Sequence, residues 1–175
     1  RYLKRENIVD GMVVELPRFS ISTETDELIK RSRLEANDVL VVIAGAMVGK
    51  SAICFENFLP ANTNQAVSFI RLKSDIYSTL VHKWMSSIYI KHTIQRTSVV
   101  SAQPNLSMEN LGNFFIPIPP ENEWSMIDEY IEKVLSKFNE MTDKENSRVS
   151  LLLEYRQSLI SSAVTGKIRI MERMI

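Results

Sequence analysis

Between residues 123 and 164 the chain carries neither glycine nor proline, and its apolar residues recur in alternating steps of four and three. Ile127, Ile131, Val134, Phe138 and Met141 mark the first part of this stripe, and Leu152, Tyr155, Leu159 and Ala163 the second. A spacing that averages about 3.5 residues keeps one face of an α-helix apolar, so the segment predicts one long helix with a heptad seam. Gly166 supplies the expected left-handed stop. Roughly 42 residues at about 1.5 Å each make a rod of about 60 Å, too long to be covered by a preceding domain of roughly 120 residues. The stripe is therefore expected to meet another helix. The alternative is a helix folded back on its own domain, which needs a break between 139 and 150, where polar Glu145 and Arg148 take the seam positions.

The 175-residue length allows one good core plus such an appendage. A single cysteine, Cys54, excludes an internal disulfide, and two histidines, His82 and His92, give no Cys/His set at metal-ligand spacing. No cofactor is expected. The longest uncharged apolar run, 39–49, is far short of the roughly 20 residues a membrane span needs, so the chain reads as soluble and cytoplasmic. It begins at Arg1 rather than at a methionine, which suggests an internal starting point in a longer polypeptide.

Pro117-Ile118-Pro119-Pro120 marks the clearest boundary, because proline removes donors and holds the residue before it out of the helical region. Before it, apolar and β-branched runs at 39–43, 51–55, 66–72 and 113–118, separated by Gly, Asn and Pro, predict strands. Residues 76–92 have the four-residue recurrence of one amphipathic helix packed on that sheet. The fold class is α+β: a β-rich domain over 1–120, a long helix over 121–168 and a short tail over 169–175.

Ala44-Gly45-Ala46-Met47-Val48-Gly49-Lys50-Ser51 fits a relaxed phosphate-loop pattern. The residues that follow Lys50 read as a strand rather than a helix, and no later strand ends in an Asp placed for magnesium. A tight strand-loop-strand turn, with Gly45 and Gly49 giving backbone freedom and Lys50 at its tip, fits better. No His stands near a plausible nucleophile in the sequence, no carboxylate set resembles a nuclease, and no catalytic centre is expected.

Net charge is zero, with 21 Lys+Arg against 21 Asp+Glu, which argues against a large basic surface. Locally, Arg71, Lys73, Lys83, Lys91 and Arg96 face Asp75 alone over 71–96. This is either a solvated helix face or a modest basic patch. Two amide-rich clusters, Asn62-Thr63-Asn64-Gln65 and Ser101-Ala102-Gln103-Pro104-Asn105, admit two readings as well: turn capping, or base readout, since Asn and Gln can pair bidentately with adenine.

Several of these pieces fall in an order that resembles one known family. Asp38-Val39-Leu40-Val41-Val42, the glycine turn through Lys50, Asn64-Gln65, Gln103-Pro104-Asn105-Leu106, Ile116-Pro117-Ile118-Pro119-Pro120, and the helix closing on Ala163-Val164-Thr165-Gly166-Lys167-Ile168 are together similar to the specificity subunit of type I restriction-modification systems. The similarity runs from about Tyr2 to Ile168 and looks more like the second, C-terminal half of such a subunit. Two departures accompany it: Glu123-Trp124 stands where the family has Glu-Gln, and the family's opening strand and glycine-rich turn are not evident in the sequence. The resemblance implies a target-recognition domain that binds double-stranded DNA without catalysis, followed by a helix that pairs as an antiparallel coiled coil. That pairing would be within one chain or in a homodimer, with modification subunits docked directly and the restriction subunit joined through the complex. Lys50, Asn64, Gln65, Lys91, Arg96, Ser101, Gln103 and Asn105 are the expected DNA contacts. No membrane partner is implied.

Overall fold

The computed structural model describes residues 1–97 and 105–168, and it divides the chain into two compact units, Arg1–Ile118 and Pro119–Ile175. In the first unit the organising element is a three-stranded antiparallel sheet in the order β5-β4-β7, with β4 Val39–Val42 between β5 Ser51–Ile53 and β7 Val67–Ile70. Side chains alternate across a strand. Leu40 and Val42 accordingly enter one core with Leu3, Ile8, Val13 and Val67, while Val39 and Val41 enter a second core with Val81, Met85, Ile90 and Ile94. All four β4 residues are fully buried. Having both faces covered explains why β4 reads as an unbroken apolar run.

The strands predicted at 39–43, 51–55 and 66–72 are present, each trimmed at its ends. The run at 113–118 is extended but joins no sheet. Phe114 and Ile116 pack on the second core while Phe115 is exposed, so a two-residue alternation holds over 114–117 without ladder bonds that the prolines could not donate, and it ends at the exposed Ile118. Four very short strands carry no readable pattern. They are β1 Tyr2–Leu3, parallel to β6 Asn62–Thr63, and the hairpin β2 Ile8–Val9 and β3 Met12–Val13. That hairpin turns on Asp10 (φ 48°) and Gly11 (φ 83°), both left-handed as a two-residue primed turn demands. The described chain thus opens with two-residue strands and a single Asp10-Gly11 turn.

The helix expected over 76–92 is two helices. After a 3-10 turn at Asp75–Tyr77, α2 runs Ser78–Met85 and α3 runs Ile88–Thr97, following a short N-terminal α1 at Thr23–Leu28. The break falls on two serines that bond to the backbone. The Ser86 hydroxyl donates to the His82 carbonyl, and the Ser87 hydroxyl accepts from Ile90 N–H at 3.3 Å, starting a new helix. The steps of four continue across this break because both helices bury a face on the same sheet. One last short helix, α4 Met108–Gly112, is capped by the Ser107 hydroxyl.

The second unit is dominated by α5, Glu121–Val164, a single helix of 44 residues. Glu121 and Glu123 lie in its first turn, where they oppose the positive end of the helix dipole. Gly166, at φ 71°, follows its end in the left-handed region. The helix runs unbroken through 139–150, where a fold-back would need its break. Glu145 and Arg148, the polar pair on the seam, hydrogen-bond to each other at 2.9 Å on one face of the same helix. Phe138, Met141, Leu152 and Tyr155 are each more than 60% exposed, and Ile127 and Leu159 are about 40% exposed or slightly less. Ile131, Val134 and Ala163 are half-buried.

Candidate nucleic-acid interface

One residue ties three separate loop segments together. Ile43, just past β4, donates its N–H to the Ala66 carbonyl at 2.9 Å and accepts from Leu106 N–H at 2.8 Å, while Ala44 forms a bridge with Asn105. The 44–50 turn, the Asn64-Gln65 turn and Asn105 are therefore gathered at one end of the sheet. The sequence places them up to 61 residues apart (44 to 105).

The 44–50 segment is a β-hairpin loop and not a phosphate loop, since β5 follows it where a helix would have to begin. Val42 N–H bonds to the Lys50 carbonyl and Gly49 N–H to the Val42 carbonyl, so Lys50 stands at the mouth of the loop and not at its tip as expected. The tip is formed by the intervening residues, which contain Gly45 at φ 93°. Gly49 has two reasons to be glycine. Its φ is 88°, and a Cβ there would lie 2.6 Å from Ile94 Cδ1 on α3. This close approach seats α3 against the hairpin base. Gly49→Ala should therefore lower stability by roughly 1–3 kcal/mol through backbone strain and overpacking. The shift of the urea midpoint measures it.

Lys50 and Lys91, expected contacts from two different elements, line one open cleft of about 340 Å³ together with Gln95, Asp10, Ser51 and Ser86. Both lysines are exposed, and among the described residues neither carries an ion pair. Arg96 is also exposed on α3, but it lies outside this cleft, on the side opposite the buried Ile90 and Ile94. From Ile76 to Met108 the sequence contains no Asp or Glu, so every charged residue that α2 and α3 themselves carry is basic.

The amide residues divide. The Asn64 side-chain oxygen accepts from Ala66 N–H at 3.2 Å, which is the turn-capping role. Gln65 and Asn105 are exposed. Ser101 and Gln103 lie outside the described residues. Gln95, Asp10 and Gly11 escaped the sequence reading, although Asp-Gly is itself a strong hairpin signal and Gln95 follows Lys91 by one helical turn.

One expectation about histidine is corrected. Ser51 Oγ and His82 Nδ1 lie 3.0 Å apart, a contact between residues 31 positions apart in the chain. Ser51 is only 4% exposed within β5, and among the described residues no carboxylate hydrogen-bonds the imidazole, so the pair lacks the orienting third member of a hydrolytic triad. Burial, with the Lys83 charge nearby, holds the His82 pKa below its ordinary value, which keeps the ring neutral. Burial likewise pushes the Cys54 thiol up to about 11, leaving it an inert core residue. Among the described residues no cluster of three or more His, Cys, Asp or Glu could hold a metal ion. None of the described helices is long and apolar enough to cross a membrane.

A mixed α+β unit whose α2 and α3 carry only basic charges, amide-bearing turns gathered at one sheet end, and a long helix after a proline boundary together fit a DNA-specificity module. The family model for the type I restriction modification DNA specificity domain matches residues 1–154, and the chain belongs to that family. Among curated proteins, the Type I restriction enzyme EcoBI specificity subunit of Escherichia coli is 28% identical over 165 residues. The match covers 93% of this chain and 34% of that protein, so the chain spans about a third of the relative's length.

Proposed function

We propose that this chain is a sequence-reading part of a type I restriction-modification complex, recognising one half of a bipartite DNA site and carrying no catalytic step of its own. Membership of the specificity-domain family is the observation that carries this reading. The sheet-end cluster supports it physically. Recognition loops held by backbone hydrogen bonds on a rigid sheet can keep a fixed register against base edges, while nearby lysines position the phosphates. The helix α5 is the spacer. Its exposed seam pairs with a second such helix running the opposite way, in the same polypeptide or in a second copy, and the length of the pair sets the distance between half-sites. Modification subunits dock on this frame, and the restriction subunit joins through them. A bacterial cytoplasm is the compartment this role requires.

The test is a salt titration with duplex DNA. Lys50→Ala, Lys91→Ala and Arg96→Ala should each weaken binding to all sequences and reduce the slope of log affinity against log salt by about 1, because each phosphate contact releases about one counterion. Unchanged slopes for all three would remove them from the interface. Absence of duplex binding by the wild-type chain at low salt would overturn DNA recognition itself.

A further inference from the structure

Within the proposed DNA-binding reading, on which this inference rests, the geometry points to α3 as the element that enters the major groove, with Gln95 as a residue that specifies an adenine. Three observations converge on it. First, α3 is fixed from beneath: Ile90 and Ile94 are buried, and Ile94 sits on the Gly49 position of the hairpin so closely that no side chain fits between them. A helix held in this way presents its outer residues with little conformational freedom. Second, its outer face carries Lys91, His92, Gln95 and Arg96 beside the apolar Ile88 and Tyr89, all exposed, and the helix contains no acidic residue. With its side chains an α-helix is about 10–12 Å across, which fits a major groove about 12 Å wide.

Third, of the exposed amides Gln65, Gln95 and Asn105, Gln95 is the one that lines the cleft shared by Lys50 and Lys91. A bidentate contact to adenine needs both the oxygen and the nitrogen of a carboxamide, the oxygen accepting from N6 and the nitrogen donating to N7. In Asn64 the oxygen is already occupied by Ala66 N–H. Gln95 is exposed, sits one helical turn from Lys91, and lines the same cleft as Lys50. A neutral bidentate amide flanked by lysines combines base readout with phosphate anchoring on one rigid element.

The experiment is selection of bound duplexes from a randomised library by the full chain, run in parallel for wild type, Gln95→Ala and Gln95→Glu, with affinity for random duplex measured for each. The wild type should show a consensus containing a required A·T pair. In Gln95→Ala, discrimination at that one pair should fall by roughly tenfold to a hundredfold, with the other positions and random-duplex affinity retained. In Gln95→Glu, preference at the same pair should move toward cytosine, whose N4 amino group donates to a carboxylate. An unaltered consensus in both variants would overturn the assignment of Gln95 while leaving DNA recognition standing. A uniform loss of affinity over all sequences in Gln95→Ala would also overturn it, making the residue a backbone contact. A wild-type chain that selects no sequence would sink the recognition reading itself.

Discussion

Replacing Arg71 by methionine should lower the folding free energy by about 3 kcal/mol, the lower part of the range for removing one partner of a buried ion pair. Arg71 follows β7 and Asp38 precedes β4, so their pairing clamps the ends of two adjacent strands. Arg71 Nε donates to Asp38 Oδ1 at 2.9 Å and Nη2 to Asp38 Oδ2 at 2.7 Å, a bidentate fork. The same guanidinium reaches Glu35 at 2.6 Å and the Arg33 carbonyl at 3.1 Å. Asp38 is 1% exposed, and without Arg71 its carboxylate would keep only the Glu35 N–H at 2.8 Å among these partners. The loss is therefore that of a stranded buried charge and not of a surface pair. Arg33, whose partners Asp26 and Glu27 are 30% and 53% exposed against 1% for Asp38, makes the contrast: Arg33→Met should change stability by about 1 kcal/mol or less. Urea denaturation of the two variants checks both values, and similar losses would show that the buried position of Asp38 is not what matters.

The second large effect concerns α5 in its proposed role as spacer. Deleting residues 142–148 removes one whole heptad, so the seam keeps its register while the helix shortens by about 10 Å. At about 3.4 Å per base pair the two half-sites should then be read about 3 base pairs closer together, with their sequences unchanged. The original site should lose roughly a hundredfold or more in affinity, because only one half can be engaged. Forfeiting just two base-pair contacts at about 1–3 kcal/mol each has this consequence. Selection from a library of variable gap measures both quantities. The same gap returned by the shortened protein would remove the helix from the measuring role. The deletion also takes out Glu145 and Arg148, whose mutual bond on one helix leaves the middle of the seam polar.

Legibility in the sequence follows the range of the forces involved. The long helix was readable because its cause is local and repeated: no glycine or proline over its length, an apolar residue every three or four positions, and a glycine just beyond its end. The strands β4, β5 and β7 were readable for a similar reason, since each carries a run of buried apolar or small residues. The break between α2 and α3 was not. Ser86 and Ser87 bond to the backbone, but their neighbours keep the helical period, so the pattern continues across the break between the two helices. Strands of two residues, such as β1 and β6, are too short for alternation to register at all.

The candidate site shows the same division. Lys50, Lys91 and Asn105 were visible as residue types with suitable chemistry, and the left-handed glycines of the hairpin loop follow from turn geometry. Their gathering was not visible, because it depends on Ile43 hydrogen bonds to Ala66 and Leu106, partners 23 and 63 positions along the chain. Nor did anything in the sequence distinguish Gln95 from the other amides. Its distinction comes from Gly49 admitting Ile94, which sets the face that α3 turns outward.

By itself, then, the amino-acid order determined the elements whose stabilising contacts lie within a few residues of one another: the continuous helix, its stop, the apolar central strand and the turn glycines. Tertiary structure alone decided which loops share one end of the sheet, where Lys50 meets Lys91, and that Asn64 spends its amide oxygen on a turn. Those outcomes rest on hydrogen bonds and packing between distant segments. A one-dimensional pattern does not encode such contacts, because many pairings of the same residues satisfy the same local preferences.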